Sequence, residues 1–462
     1  MKSITEQWAQ YALSVKMEEI PKEVVHQAKR LFLDTLACAV GGYDSEVVRV
    51  LQQVAASDLQ GPQEATVIGS GTKTTALNAI LLNGSMVRFL DANDISAGGH
   101  DSEIIPAALA VGERERASGK EVLLSSIIGY EIAGRFFSAI QGSSSVGGYF
   151  ILEKQGWNAD LRAGFIMPPV FGRLLGLNSE QIANAIGIAG SRSFLLGIMD
   201  AAEEENTLAK NIRFPFTAHM ALISTYMAGK GMTGPKRVIE GNAGFKKSFF
   251  SDLDLEKVAA FDDNWMIMKA GTKAFCCCYS THGHLRATVD LVKEIDLKPE
   301  QVEAIKIVTN PRSKWHSGNP DTRRRVHNKE TADHSSYYVT AIAILEREVG
   351  PEHYTPALYQ DPRVLNIMDR VTIEADDCYT AIYPGSRVEV RTKDGRLYTK
   401  EVKHPLGHHL NPMDDSEIEG KFHQMARRYM DEGQRREIIA AVYEIDRLDN
   451  VGKLMDLLRF RK

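Results

Sequence analysis

Apolar residues recur every three or four positions through most of the first 260 residues, a helical period. Between Pro21 and Val40 the residues Val25, Ala28, Phe32, Leu36 and Ala39 fall on one helix face. Pro21 suits the start of that helix, and Gly41-Gly42 its stop. Asn178, with Gln181 three residues on, forms a capping pair for a helix through Ile182, Ile186 and Ile188. Phe216 to Met227 is mostly apolar on all sides, as expected of a helix buried in a large bundle. Near Ala270 the period changes. Val302–Val308 and Val371–Glu374 read as strands. A hairpin follows, in which Val388 and Val390 alternate with Glu389 and Arg391, Asp394-Gly395 turns, and Leu397–Val402 returns. After Pro412 the helical pattern resumes, with Asp414-Asp415-Ser416 capping a helix through Ile418 and Phe422, and a last helix from Arg435 to Ile445. The pattern predicts a mainly α chain with an α+β insertion: a helical domain from residues 1–269 and 404–462, and a smaller α+β domain over 270–403.

A chain of 462 residues exceeds one ordinary core, which agrees with two domains or one large domain carrying an insertion. Hydrophobic residues at 44% and charged residues at 25% are ordinary globular values. The net charge of -5 offers no field for nucleic acid. The one tight basic run, Arg323-Arg324-Arg325, is either a solvated face or an anion contact. Five cysteines, three of them contiguous at Cys276-Cys277-Cys278, form no disulfide framework. No metal is expected, because no second Cys or His pair stands at ligand spacing to close a tetrahedron. The polar start of the chain and the lack of an apolar run of about 18 residues predict a soluble, cytoplasmic protein without a membrane partner.

Four segments carry groups with chemistry. Leu90-Asp91-Ala92-Asn93-Asp94 precedes Gly98-Gly99-His100-Asp101-Ser102, which places carboxylates and an imidazole on one loop between apolar helices. A carboxylate near a histidine is the usual construction of a general acid or base; the alternative is that Asp94 and Asp101 only cap and solvate helix ends. Lys210-Asn211-Ile212-Arg213 opens the apolar helix, where its cations either hold a carboxylate or are an exposed helix start. Lys273 through His282 and His284 lies where the two domains meet; its three sulfurs read as packing, and Lys273 and His282 as the polar groups of interest. Tyr338, beyond Asp333-His334, is either a donor to a carboxylate or an ordinary helix-face aromatic. Gly69-Ser70-Gly71 lacks the further residues of a nucleotide loop.

In this order and spacing the segments resemble the MmgE/PrpD family, which contains 2-methylcitrate dehydratase, cis-aconitate decarboxylase and iminodisuccinate epimerase. The resemblance covers nearly the whole chain. It runs through Asn83-Gly84, Leu90-Asp91-x-Asn93-Asp94 and His100-x-Ser102, then Gly172-Arg173-Leu174-Leu175-Gly176-Leu177 and Lys210. Gly231-Met232-Thr233-Gly234-Pro235, Lys273-x-Phe275-x-x-Cys278-x-x-x-His282, Asp333-His334 with Tyr338, and His404-Pro405-Leu406-Gly407 complete it. It implies a large all-helical domain made by both chain ends, a smaller α+β lid, a homodimer, and a small polycarboxylate bound between the domains without metal or organic cofactor. By matching position it implies Asp91, His100, Lys210, Lys273 and Tyr338 as active-site residues, with Arg213 and His282 as further substrate contacts.

The implied chemistry suits that set. Removing a proton beside a carboxylate builds charge on that carboxylate, and fixed cations stabilise the resulting transition state. Lys210 and Lys273 supply the charge, or one of them becomes a base through a depressed pKa. His100, oriented by Asp91, moves the proton to or from a leaving hydroxyl, and Tyr338 donates to the substrate. The chain departs from the family pattern with Ile95 for threonine, Asp101 for proline, and Cys276 for proline. No histidine stands in Gly156-Trp157-Asn158-Ala159-Asp160, a stretch where many members carry one. The leading expectation is a hydro-lyase resembling 2-methylcitrate dehydratase. An epimerase of an N-substituted aspartate, a cis-aconitate-type decarboxylase and an inactive carboxylate-binding homologue are the alternatives.

Overall fold

A computed structural model describes residues 2–96, 99–140 and 152–461. Helices dominate, and one four-stranded mixed sheet lies in the second half of the described chain. The helix Lys22–Gly41 starts after Pro21 and ends at Gly42, as its sequence predicts. Asn178 and Gln181 form a reciprocal capping box on Ser179–Gly190, and Asp414 with Glu417 does the same for Asp415–Ala426.

Buried apolar residues gather into two principal clusters. The first joins residues between Ile4 and Cys276 to residues between Met413 and Leu458. Its two sequence-distant parts meet where Lys22–Gly41 packs against Asp415–Ala426 and Glu432–Tyr443. Ala76–Phe89 lies between Lys22–Gly41, Ile104–Arg114 and Arg213–Gly229. Phe136, Phe165 and Phe245 pack in tilted and edge-to-face pairs with centroids 4.7–5.4 Å apart, and truncating Phe136 to alanine would cost about 3–5 kcal/mol.

The second cluster runs from Cys277 to Val390. Strand Val302–Thr309 pairs parallel with Val371–Ala375 and antiparallel with Ser386–Thr392, which continues antiparallel to Leu397–Val402. Alternation in Ser386–Thr392 buries Val388 and Val390 beneath His282–Glu294, which also packs on Ser336–Glu346. Between the hairpin strands, Gly395 takes a positive φ of 85°.

The helix Arg213–Gly229 departs from expectation. Phe216 is 54% exposed on it, so one side of this apolar helix faces outward. Among the described residues no helix is long and apolar enough to cross a membrane.

Candidate active site

The helix Ala76–Phe89 ends at Leu90, and the chain then turns through Asp91 in the left-handed region, at φ 49°. Aspartate tolerates that conformation better than bulkier residues, and such torsions cluster at functional sites. The next residues form an antiparallel bridge in which the Ile95 and Gly271 amides each donate to the other's carbonyl, at 2.9 and 2.8 Å. That bridge delivers Lys273 to Asp91. The Lys273 ammonium donates to the Asp91 carbonyl at 2.8 Å and to Oδ1 of its carboxylate. Lys210, from the turn Leu208–Ile212, donates to Oδ2 at 3.0 Å. Gly407 guards this arrangement: its φ is 91°, and a Cβ there would sit 2.0 Å from the Thr272 carbonyl.

Asp91, Lys210 and Lys273 are at most 2% exposed. Burial alone raises the Asp91 pKa, but Lys210, Lys273 and His334 reverse it and hold the carboxyl well below its ordinary value. Burial would lower Lys210, yet Asp333, Asp91 and Asp200 raise it overall. Lys210 is therefore held as a cation and does not suit the role of a depressed lysine base. The Asp91 carboxylate thus lies between the side-chain nitrogens of Lys210 and Lys273 beside the cavity.

That cavity is small, with about 40 Å³ of space that water-sized groups can enter. Asp91, His100, Arg88, Asp200, Cys278, Arg312, His316, His334 and Tyr383 are among its lining residues. His100 is oriented by the Asp94 carbonyl, which its Nδ1 contacts, rather than by Asp91 as the sequence suggested. Burial, with Arg88 and Lys273, holds His100 well below the ordinary imidazole value, so it is neutral. Gly98, in the same motif, lies outside the described residues. Asp94 and Asp101 belong to the framework. Asp94 accepts from the Ser102 amide at 3.0 Å and the Tyr130 hydroxyl at 2.9 Å, while Asp101 pairs with Arg162 at 3.0 Å.

His334 has the opposite character. Its Nδ1 donates to Asp333, and its Nε2 lies 3.4 Å from Asp91 and 3.5 Å from Asp200. Burial and Lys210 lower its pKa, but Cys278 and Asp333 outweigh them and lift it to about 9. The Cys278 Sγ lies 3.6 Å from His316 Nδ1. The packing assignment suits Cys276 and Cys277, whose thiols burial pushes up, but Cys278 reaches the cavity wall.

Three predicted residues stand elsewhere. Tyr338 donates to the His353 carbonyl and packs against Tyr354 and Tyr359, so its hydroxyl is spent inside the second cluster and away from the cavity lining. His282 is fully buried behind Cys277, beside Phe275 and Tyr279, and burial lowers its pKa to about 3. Arg213 stands one layer behind the wall, binding Asp200 and, at 3.1 Å, Asp160. Asp160 comes from the stretch without a histidine. There it is a hub, 2.7 Å from Arg162 and 3.5 Å from Arg88.

Sequence reasoning missed Asp200, Arg312, His316 and Tyr383. None stands in a chemical pattern with its sequence neighbours, and only the fold collects them. His334 was visible beside Asp333, but Tyr338 drew the functional assignment.

The MmgE/PrpD N-terminal domain family matches residues 6–257, and the MmgE/PrpD C-terminal domain family matches residues 275–445. A cis-aconitate decarboxylase from Aspergillus terreus is 26% identical, the match covering 98% of this chain and 96% of that protein. A cis-aconitate decarboxylase from Homo sapiens is 23% identical, over 99% and 95% of the two chains. An alkylcitrate dehydratase, phiI, from a fungal species is 23% identical, over 90% and 86%.

Proposed function

The chain belongs to the MmgE/PrpD family, and on that premise we propose that it is a lyase of small tricarboxylic acids of the citrate or aconitate kind. The observation that carries this reading is the Lys210–Asp91–Lys273 group buried beside a cavity lined by His100 and His334. Its lysines are held in place before substrate arrives, so they stabilise an enediolate without reorganisation. Arg88 and Arg312 add further positive charge to the same wall for the remaining carboxylates.

The leading reaction is elimination of water. His100, neutral and held at Nδ1 by the Asp94 carbonyl, takes the proton from the carbon beside the carboxylate. His334, set between Asp333 and the carboxylates of Asp91 and Asp200, holds a proton for the departing hydroxyl. A base and an acid facing one cavity are what a hydro-lyase requires. The second reading is decarboxylation of a cis-aconitate-like acid, favoured by the names of the relatives that match this chain end to end. It uses the same charged group but returns a proton to carbon after carbon dioxide leaves. We also propose that the chain works as a homodimer.

Proton NMR in deuterated water, with 2-methylcitrate, citrate, cis-aconitate and N-substituted aspartates, tests these readings together. An olefin formed from an alkylcitrate supports the hydro-lyase, and carbon dioxide loss from cis-aconitate moves decarboxylation to the front. Deuterium uptake without bond cleavage would replace both with an epimerase. No turnover and no binding across the panel would sink the lyase reading.

A further inference from the structure

Cys278 stands on the cavity wall without a task in the elimination chemistry. It lines that space and is 8% exposed, whereas Cys38, Cys276 and Cys277 are sealed into the two clusters. Its Sγ lies 3.6 Å from His316 Nδ1 and 3.0 Å from the Ser280 hydroxyl. Cys278 precedes the short turn Tyr279–Thr281, and His316 comes from the helix Pro311–Ser317, 38 residues further on. His316 lines the same wall, and its Nε2 is buried without a hydrogen-bond partner. A thiol with an imidazole beside it and a hydroxyl within reach of the sulfur is the construction of an activated nucleophile. Burial would raise the Cys278 thiol, but His334 and His316 outweigh it and hold the thiol well below its ordinary value. Arg312 stands one helical turn before His316 and lines the same cavity, where its guanidinium can take a carboxylate.

We propose that Cys278 is a covalent modification site for small unsaturated carboxylic acids, with Arg312 holding the acid's carboxylate and His316 moving the thiol proton. In this step the Cys278 sulfur bonds to the carbon β to the carboxylate, and the π pair of the double bond shifts to the α carbon. The thiol proton, taken up by His316, ends on that α carbon. The adduct is a thioether, with no leaving group and no oxidant or reductant consumed. The His334 proton is not drawn on. The site rests on the proposed elimination only for the source of such acids, because dehydration of a citrate-type acid makes one inside this cavity. An adduct on the wall of so small a cavity would exclude substrate, so product that lingers there would switch the chain off.

The test uses the full, unaltered chain, with peptide mass spectrometry reading each cysteine. Prolonged incubation with fumarate should place one adduct on Cys278 and none on Cys276 or Cys277. Alkylation rates then read the carboxylate contact. Iodoacetate should outpace iodoacetamide at Cys278 by about tenfold. The order should reverse at the exposed Cys378, where Asp376 beside the thiol disfavours an anionic reagent. Arg312→Gln should slow iodoacetate at Cys278 about tenfold and leave iodoacetamide unchanged, a split that a purely structural role would not produce. His316→Gln should slow both reagents at Cys278 and neither at Cys378. Circular dichroism checks that these variants are folded, and the unaltered chain decides the matter if they are not. No fumarate adduct on Cys278, or iodoacetate no faster there than iodoacetamide, overturns the proposal. Labelling is read apart from turnover. An adduct on a chain that converts no acid would leave this site standing while the lyase reading fell, and turnover without an adduct would do the opposite.

Discussion

Asp91 pairs with both Lys210 and Lys273 while its backbone adopts a left-handed torsion. If Lys210 and Lys273 stabilise the developing enediolate, alanine at either should lower kcat about 10²- to 10³-fold. Steady-state kinetics on the substrate found by NMR measures this, and unchanged turnover would remove both lysines from the mechanism. Tyr338 gives the contrasting case. Because its hydroxyl is spent on the His353 carbonyl, Tyr338→Phe should keep near-normal activity and lose about 1–3 kcal/mol of stability in a urea titration. Asp94 has a pH signature of its own. Burial, reinforced by Asp101, lifts it to about 7, whereas an unfolded aspartate titrates near about 3.9. The folded state keeps a proton that the unfolded chain releases, so this stability is full below about pH 3.9 and is lost by pH 7. Relative to Asp94→Asn, the unaltered protein should therefore lose about 1.4 kcal/mol per pH unit between pH 5 and 7, and level off above. A difference independent of pH in urea titrations would refute the shift.

At the scale of elements, a buried ionic lattice behind the cavity wall joins the helix Ala76–Phe89, the turn Ala159–Arg162 and the start of Arg213–Gly229 through Arg88, Asp160 and Arg213. Removing the central anion leaves buried guanidiniums short of charge. Asp160→Asn should cost about 3–5 kcal/mol, read from its urea midpoint, and a loss below about 1 kcal/mol would show that water or other anions compensate. The elements themselves were largely legible. Period 3.6 gave Lys22–Gly41, alternation gave Ser386–Thr392, and Asn178 with Gln181 marked a helix start, because these signals are local. The cation group of the site was legible as well, through spacing that resembles a known family. His316 and Asp200 were not, because an isolated histidine or aspartate acquires meaning only from neighbours remote in sequence. The outward face of Arg213–Gly229 was also hidden. Apolarity on every side is equally compatible with burial and with a surface that another chain covers.

For the whole molecule, Phe194, Leu196 and Ile198 are 58–65% exposed within one short segment, an apolar surface of the kind a second copy covers. Light scattering should give twice the chain mass, and Phe194→Glu with Ile198→Glu should reduce it to one chain; a monomeric unaltered protein would rule out the homodimer. A longer-range tie is Lys421, buried on the helix Asp415–Ala426. It donates at 2.6 Å both to Asp34 and to the Ala92 carbonyl, 329 residues earlier and next to Asp91. During synthesis on the ribosome, every predicted catalytic side chain is made well before that lysine emerges. Lys210, Lys273 and the Ile95–Gly271 bridge can hold the loop carrying Asp91 earlier, but its tie to the helix Asp415–Ala426 closes last, so full catalytic competence should arrive only after residue 421 has cleared the exit tunnel and folded back.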